Sequence, residues 1–230
     1  NLIILVDNID INTMENGPSL ASSEKNERYK SIDFHKKWID IASEIGCHSI
    51  RVNLRSDESN TDKILDNSSK SISKLIDHSS SQGVSIVVEN HGGITGDADW
   101  LVSLMTNINN DYVGTLPDFG SYNFCVKRGE LNFEGLTGEC ENQYDKYKGV
   151  KKLLPFAKGI SAKSHEFNSM GEETSTDFSR MMDIISSSSY KGYITIEYEG
   201  AMMKIFGGKG DYLDPHDGVQ ATKSLIKKYI

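Results

Sequence analysis

The feature that most constrains the fold of this chain is the regular alternation of short aliphatic runs with stretches of helical periodicity. Between the aliphatic runs, apolar residues recur at helical spacing, as in Phe34, Trp38, Ile41 and Ile45. We count six strands and six helices, and alternation of this kind is typical of a parallel sheet covered by helices. The six runs that we interpret as strands are residues 2–8, 48–53, 84–91, 113–118, 160–165 and 193–199.

The side chains of each predicted strand divide into an aliphatic face and a polar face. Side chains alternate along a strand, so Val84, Ile86 and Val88 share one face while Glu89 and His91 share the other. The same division separates the aliphatic residues from the acids and the histidine in the strands at 160–165 and 193–199, and in the strand at 113–118 it sets Val113 opposite Asp118, which shares its face with Leu116. Such strands are buried on both sides, with the aliphatic face against helices and the other face toward a shared interior. This pattern indicates a parallel barrel.

Four successive predicted strands end in a side chain that binds divalent cations. Glu89, Asp118, His165 and Glu197 close these strands, and all four lie on the inward parity. A hard cation prefers carboxylate oxygen and accepts an imidazole nitrogen. We therefore predict a divalent-metal site formed by these four residues.

Two further residues share the inward face of the last two strands. Glu199 has the same parity as Glu197 and competes with it for the ligand role. Lys163 lies on the same face as His165, where its charge pairs with Glu197 or holds a substrate oxygen anion. We predict that Glu199 and Lys163 bind substrate, and a structural ion pair is the alternative for Lys163.

Three more inward residues are candidates for substrate binding. His91 follows Glu89 by two residues, and the alternative is that it only hydrogen-bonds within its own glycine-containing loop. Arg51 and Asn53 lie on the inward parity of the strand at 48–53. Packing inside the barrel is the alternative role for Arg51.

The number of strands is two short of a closed barrel. A (β/α)8 barrel typically needs about 250 residues, whereas this chain has 230 and starts at Asn1 inside a predicted strand. We expect that the first two β/α units are lacking here. We treat residues 1–230 as one N-terminally incomplete barrel domain.

Composition restricts the function and the setting. The net charge is −8 and no apolar run approaches the roughly 18 residues of a membrane helix, so we expect neither a nucleic-acid partner nor a membrane. Cys47, Cys125 and Cys140 form no metal-spaced pair, and an odd number is no disulfide framework. We interpret all three as reduced thiols, which slightly favours the cytoplasm, although a signal peptide ahead of Asn1 would reverse that inference.

Three segments carry a resemblance to a known family. PDFG at 117–120, LLPFAKGISAKSHEF at 153–167 and GYITIEYEG at 192–200 resemble the sugar phosphate isomerase/epimerase family of xylose isomerase-like TIM barrels. The resemblance covers nearly all of the chain from Leu2 onward. It implies a (β/α)8 barrel with metal ligands at the ends of strands five to eight, in the order that Glu89, Asp118, His165 and Glu197 follow.

The resemblance also implies a reaction. A divalent metal, Mn²⁺ first with Mg²⁺ or Co²⁺ as alternatives, polarises a sugar carbonyl and makes the adjacent C–H acidic. Glu89 and Glu197 then act as an acid/base pair through an enediolate, which gives isomerisation or epimerisation of a small sugar, sugar phosphate or polyol. An inosose-type dehydratase on the same barrel, and a barrel that binds metal or sugar without turnover, remain open. A homo-oligomer is compatible with all three.

Overall fold

The computed structural model describes residues 3–6, 17–128, 139–205 and 207–230. The chain divides into two compact units. The first contains residues 1–89 and 99–116, and the second contains residues 90–98 and 117–230. The single domain over residues 1–230 stays a prediction.

The first unit is built on a four-stranded parallel sheet with the strands in sequence order. Its strands are β1 (Ile3–Val6), β2 (Ser49–Val52), β3 (Ser85–Glu89) and β4 (Val113–Leu116). The sheet is packed with α1 (Lys25–Glu44) and α2 (Thr61–Ser81), and nearly all of α3 (Ala98–Ile108) belongs to the same unit. The first four predicted strands are therefore present, and the part of the first one outside residues 3–6 lies outside the described residues.

The second unit contains a parallel pair of strands and an antiparallel hairpin. β5 (Cys125–Arg128) and β6 (Cys140–Gln143) form the hairpin, and β7 (Ile160–Ser164) pairs with β8 (Ile194–Tyr198). The last two predicted strands are thus present, whereas the hairpin was not predicted. The helices of this unit are α4 (Lys146–Leu153), α5 (Phe178–Ser186), α6 (Gly200–Ile205) and α7 (Pro215–Tyr229). The described ranges therefore hold seven α-helices rather than the six expected.

Side-chain caps determine where four of the helices begin. Asn60 accepts hydrogen bonds from the first turn of α2, and Asp145, Asp177 and Asp214 do the same for α4, α5 and α7. Such caps satisfy backbone N–H groups that have no partner inside the helix. Each loop that leads into one of these helices is therefore fixed at its far end.

The prediction that all three cysteines are reduced is wrong for two of them. Cys125 and Cys140 form a disulfide bond between β5 and β6, whereas Cys47 is buried and free. The hairpin pairing brings the two strands side by side, and this pairing was not visible in the spacing of the cysteines. Because the slight preference for the cytoplasm rested on three reduced thiols, this disulfide bond removes its support. In the described ranges, no helix combines the length and the apolar character that crossing a membrane requires.

Candidate active site

The alternation of faces predicted for the last two strands is seen in the contacts of their side chains. Ser164 in β7 and Tyr198 in β8 both lie against α7, because the Ser164 hydroxyl is 2.6 Å from the Thr222 hydroxyl and Gly218 leaves room for the Tyr198 ring. Lys163 and Glu197, which are partners in the strand register, have the opposite parity. The polar face of this strand pair therefore carries the candidate functional side chains.

Lys163 lies at the centre of this polar face. Its Nζ is 3.6 Å from Asp118 Oδ2, 3.3 Å from Glu197 Oε1 and 3.2 Å from Glu199 Oε1. Its side chain is only 4% exposed, so the ammonium group depends on these carboxylates rather than on water for its stabilisation. The structure thus brings together Asp118, Lys163, Glu197 and Glu199.

Asp118 is held by both its backbone and its side chain. Its N–H donates to Asn90 Oδ1 at 2.8 Å, while Asn90 Nδ2 donates to the Asp118 carbonyl at 3.1 Å. The Gly120 N–H donates to Asp118 Oδ1 at 2.6 Å. A Cβ atom at Gly120 would lie 2.9 Å from Asp118 Oδ1 and from Lys163 Cδ, so this close approach requires glycine.

Glu197 is oriented by a serine that the sequence analysis did not single out. Ser161 Oγ donates to Glu197 Oε2 at 2.5 Å, and the Ser161 backbone bridges to Asp118. A carboxylate oxygen of Glu197 lies within 4.8 Å of one of Asp118. The inward parity of Ser161 in β7 was the available signal for its role. The oxygens of Asp118 and Glu197 are hard donors, and their separation suits a shared divalent cation.

His165 lies beside different acids from those predicted. Its Nε2 is 3.5 Å from Glu199 Oε2 and its Nδ1 is 4.0 Å from Glu173 Oε1. Among the residues that the structure describes, Asp118, His165 and Glu197 do not form a group whose ligand atoms all lie within 4.8 Å of one another. The ligand role of His165 therefore stays a prediction.

Glu173 is a buried carboxylate that the sequence analysis missed. Its Oε1 accepts from the His165 N–H at 3.2 Å, and its Oε2 accepts from the Ser175 N–H at 2.7 Å and from the Thr176 N–H. It lies in a loop, where no periodicity marks a residue as buried. Its position ties the end of β7 to that loop and places a negative charge near the His165 ring.

Glu199 lies between two basic side chains. The hydrogen bond from His165 and the charge of Lys163 lower the pKa of Glu199 to about 2, against the opposing effect of its partial burial. Both Glu197 and Glu199 contact Lys163, so the choice between them for the ligand role stays a prediction. Only Glu199 also contacts His165.

The remaining predicted site residues are divided between the two units. In the first unit, Arg51 Nε is 3.0 Å from Glu89 Oε2 and both side chains are buried, while Asn53 follows β2 and is half-buried. In the second unit, the His91 N–H donates to Thr95 Oγ1 and its ring meets the Tyr122 ring edge-on. The hydrogen bond to Thr95 is made by the backbone, so the substrate-binding role of the His91 side chain stays a prediction. The ligand and catalytic roles of Glu89 stay predictions.

A cavity of about 710 Å³ in the second unit opens beside this cluster. Lys163, His165 and Glu199 line it, together with residues of the β5–β6 hairpin and its neighbouring turn. On the hairpin side of the cavity, the Arg128 guanidinium lies 3.3 Å from the centre of the Tyr122 ring. The volume lies within the range that binds small molecules, and the lysine, histidine and glutamate side chains on its wall suit the hydroxyl groups of a polyhydroxy compound.

One buried amide on the wall of the cavity has unused hydrogen-bonding groups. Neither Oδ1 nor Nδ2 of Asn123 has a hydrogen-bond partner among the described residues, although the side chain is fully buried. Its Oδ1 lies close to Gly120, on the same side as Asp118 Oδ1. An unpaired buried amide is unfavourable. No periodicity or motif in the sequence distinguishes Asn123 from an ordinary loop asparagine.

Comparisons with known proteins agree on the fold. A family model described as Xylose isomerase-like TIM barrel matches residues 7–229. No curated protein sequence matches the chain.

Solved structures with this fold are similar over almost the whole chain. A D-allulose 3-epimerase from Methylomonas sp. is 13% identical with a TM-score of 0.67, covering 93% of this chain and 74% of its own. An L-ribulose 3-epimerase is 10% identical with a TM-score of 0.69, covering 98% and 73%. The IOLI protein with a binding zinc atom is 12% identical with a TM-score of 0.57, covering 99% and 76%. At these identities the likeness concerns the fold alone, and it confirms the fold class predicted from the sequence.

Proposed function

Because the chain belongs to the xylose isomerase-like TIM barrel family, we propose that it is a divalent-metal-dependent isomerase or epimerase of a small sugar. The observation that carries this proposal is the pair of inward carboxylates, Asp118 and Glu197, which lie within 4.8 Å of each other beside the buried Lys163. Two of the similar structures are a D-allulose 3-epimerase and an L-ribulose 3-epimerase, which supports a ketose as the substrate class.

We propose Asp118 and Glu197 as metal ligands, with His165 and Glu89 as the further ligands that strand order indicates. When bound, a divalent ion supplies Lewis acidity that makes the C–H next to a carbonyl easier to deprotonate. Mn²⁺ is the first choice, with Mg²⁺ or Co²⁺ as alternatives, because the donor set is mainly carboxylate.

Proton transfer is assigned to Glu89 and Glu197. One carboxylate takes the proton from the carbon next to the carbonyl, and the other returns a proton to the enediolate. Return to the opposite face of the same carbon inverts that centre, whereas return to the neighbouring carbon interconverts aldose and ketose. The Ser161 hydroxyl, which donates to Glu197 Oε2, fixes the orientation of one of these carboxylates.

Lys163, Glu199, His91, Arg51 and Asn53 are proposed to bind the substrate. The cavity beside Lys163 and Glu199 supports this assignment for those two residues. A charge-assisted hydrogen bond from a lysine suits the developing negative charge on an enediolate oxygen. The assignment of His91, Arg51 and Asn53 rests on their strand parity and their place in the sequence.

Deuterium incorporation from D₂O tests the proposed reaction. The purified protein with Mn²⁺ is incubated with D-allulose, D-tagatose, L-ribulose and an inosose, and the C–H positions are followed by NMR. We expect exchange without loss of water, abolished by a chelator and restored by Mn²⁺. Water loss from any substrate would indicate a lyase, and no exchange with any ketose or inosose would refute turnover.

Two substitutions test the acid/base pair. Glu89→Gln and Glu197→Gln should each lower the exchange rate by about 10²–10⁴-fold, because a positioned acid or base contributes an effect of this size. Both variants should still bind Mn²⁺ in part. Glu44→Gln, at the exposed end of α1, is the matched control and should exchange at the wild-type rate. Wild-type exchange in either test variant would contradict the assignment.

A further inference from the structure

The carboxylates proposed to hold the metal already hold a cation that belongs to the chain. Lys163 Nζ lies 3.6 Å from Asp118 Oδ2 and 3.3 Å from Glu197 Oε1, and its side chain is almost fully buried. A charge in such a position is stabilised by paired groups of opposite sign. The ammonium group therefore offsets part of the negative charge of these two carboxylates.

The contact involves particular oxygen atoms. Asp118 Oδ1 accepts from the Gly120 N–H, and the other oxygen, Oδ2, faces Lys163. Glu197 Oε2 accepts from the Ser161 hydroxyl, and the other oxygen, Oε1, faces Lys163. In both carboxylates one oxygen is thus engaged by a donor beside it, and the second is the one that the lysine contacts. A metal bound by Asp118 and Glu197 through these second oxygens would meet the ammonium group.

Glu199 offers the ammonium group a different partner. Its Oε1 is 3.2 Å from Lys163 Nζ, the shortest of the three carboxylate contacts. A lysine side chain carries a compact charge on a flexible four-carbon stem, so it can leave two partners and keep a third. A divalent cation beside Asp118 would also repel the ammonium group.

We propose that Lys163 is a built-in competitor of the divalent metal: its ammonium group holds Asp118 and Glu197 together in the metal-free protein and moves toward Glu199 when a metal binds. This inference rests on the proposed metal site. It assigns Lys163 two positions and makes it a residue that limits metal affinity. The ligand concerned is a hard divalent cation.

The test measures metal affinity in the absence of any sugar. The dissociation constant for Mn²⁺ is measured by calorimetry for the wild type, for Lys163→Met and for Lys163→Gln, each shown to be folded by circular dichroism. Suppose that the lysine has left Asp118 and Glu197 in about a tenth of the molecules or fewer. Only those molecules can bind the metal, so removing the lysine should tighten Mn²⁺ binding about tenfold or more. Lys191→Met, at an exposed position before β8, is the matched control and should bind as the wild type does.

Glu199→Gln gives an independent check. With its third partner weakened, Lys163 should stay with Asp118 and Glu197, so Mn²⁺ binding should weaken in the wild-type background. In the Lys163→Met background the same substitution should have a clearly smaller effect. Equal effects in both backgrounds would contradict the proposed movement.

The outcomes separate this inference from the proposed reaction. Tighter Mn²⁺ binding by both Lys163 variants supports competition, even if the wild type exchanges no deuterium with any ketose. Equal or weaker binding by both variants, or no Mn²⁺ binding by any form of the protein, overturns competition. If both variants bind Mn²⁺ equally or more weakly but the wild type exchanges deuterium with a ketose, competition is overturned and the proposed reaction stands.

Discussion

Glu173→Gln should be among the most destabilising single polar substitutions near the site. Glu173 is buried, and its two oxygens accept from three backbone N–H groups, those of His165, Ser175 and Thr176, and from the Ser175 hydroxyl. A glutamine keeps the shape, but one of its two terminal atoms is a donor. The least costly orientation puts this donor against the single N–H of His165, because the Ser175 hydroxyl can rotate to accept.

The expected cost follows from these contacts. The His165 N–H loses its acceptor, which costs about 1–3 kcal/mol for a buried donor. The two bonds from Ser175 and Thr176 lose the charge of their acceptor, which weakens each by about 1 kcal/mol. We therefore expect the free energy of unfolding to fall by about 3–5 kcal/mol. With a slope of roughly 2 kcal/mol per molar of urea, the midpoint should fall by about 1.5–2.5 M.

The neighbouring residue provides the control. Glu172 accepts from the Tyr229 hydroxyl at 2.9 Å and from Lys228 at the protein surface. Glu172→Gln should therefore cost less than about 1 kcal/mol. Urea denaturation followed by circular dichroism measures both variants. A loss for Glu173→Gln that equals the loss for Glu172→Gln would refute the reasoning from buried contacts.

Two further predictions concern stability. Asn123→Leu should raise the free energy of unfolding by about 1 kcal/mol, because it removes a buried amide that has no partner among the described residues, and a lower stability in urea denaturation would show that the amide is satisfied. The pKa of Glu199 is about 2 in the metal-free folded protein, below its ordinary value of 4.5, so its charged form contributes stability above pH 4.5 that is lost as the pH falls toward 2. Its side chain is 40% exposed, so solvent screening reduces this contribution to about 1 kcal/mol. Between pH 5 and 2 the stability of the wild type should thus fall more steeply than that of Glu199→Gln, and parallel curves would contradict the pairing with His165 and Lys163.

The β5–β6 hairpin shows where sequence reasoning stops. Its strands are four residues each, and β6 is exposed along its whole length, so no buried face produces an alternating apolar pattern. The disulfide between Cys125 and Cys140 depends on the pairing of these strands. Local sequence could not reveal a bond that tertiary pairing creates.

The sequence alone determined the elements that have a period. Short aliphatic runs marked the six parallel strands, and strand parity placed Lys163, Glu197 and Glu199 on one face because side chains alternate along a strand. Only the tertiary structure decided which partners these side chains meet. Glu173 reaches His165 through a loop without periodicity, Ser161 selects one oxygen of Glu197, and Lys163 contacts three carboxylates from two segments of the chain. Parity fixes the direction of a side chain, whereas its neighbours depend on how distant segments pack.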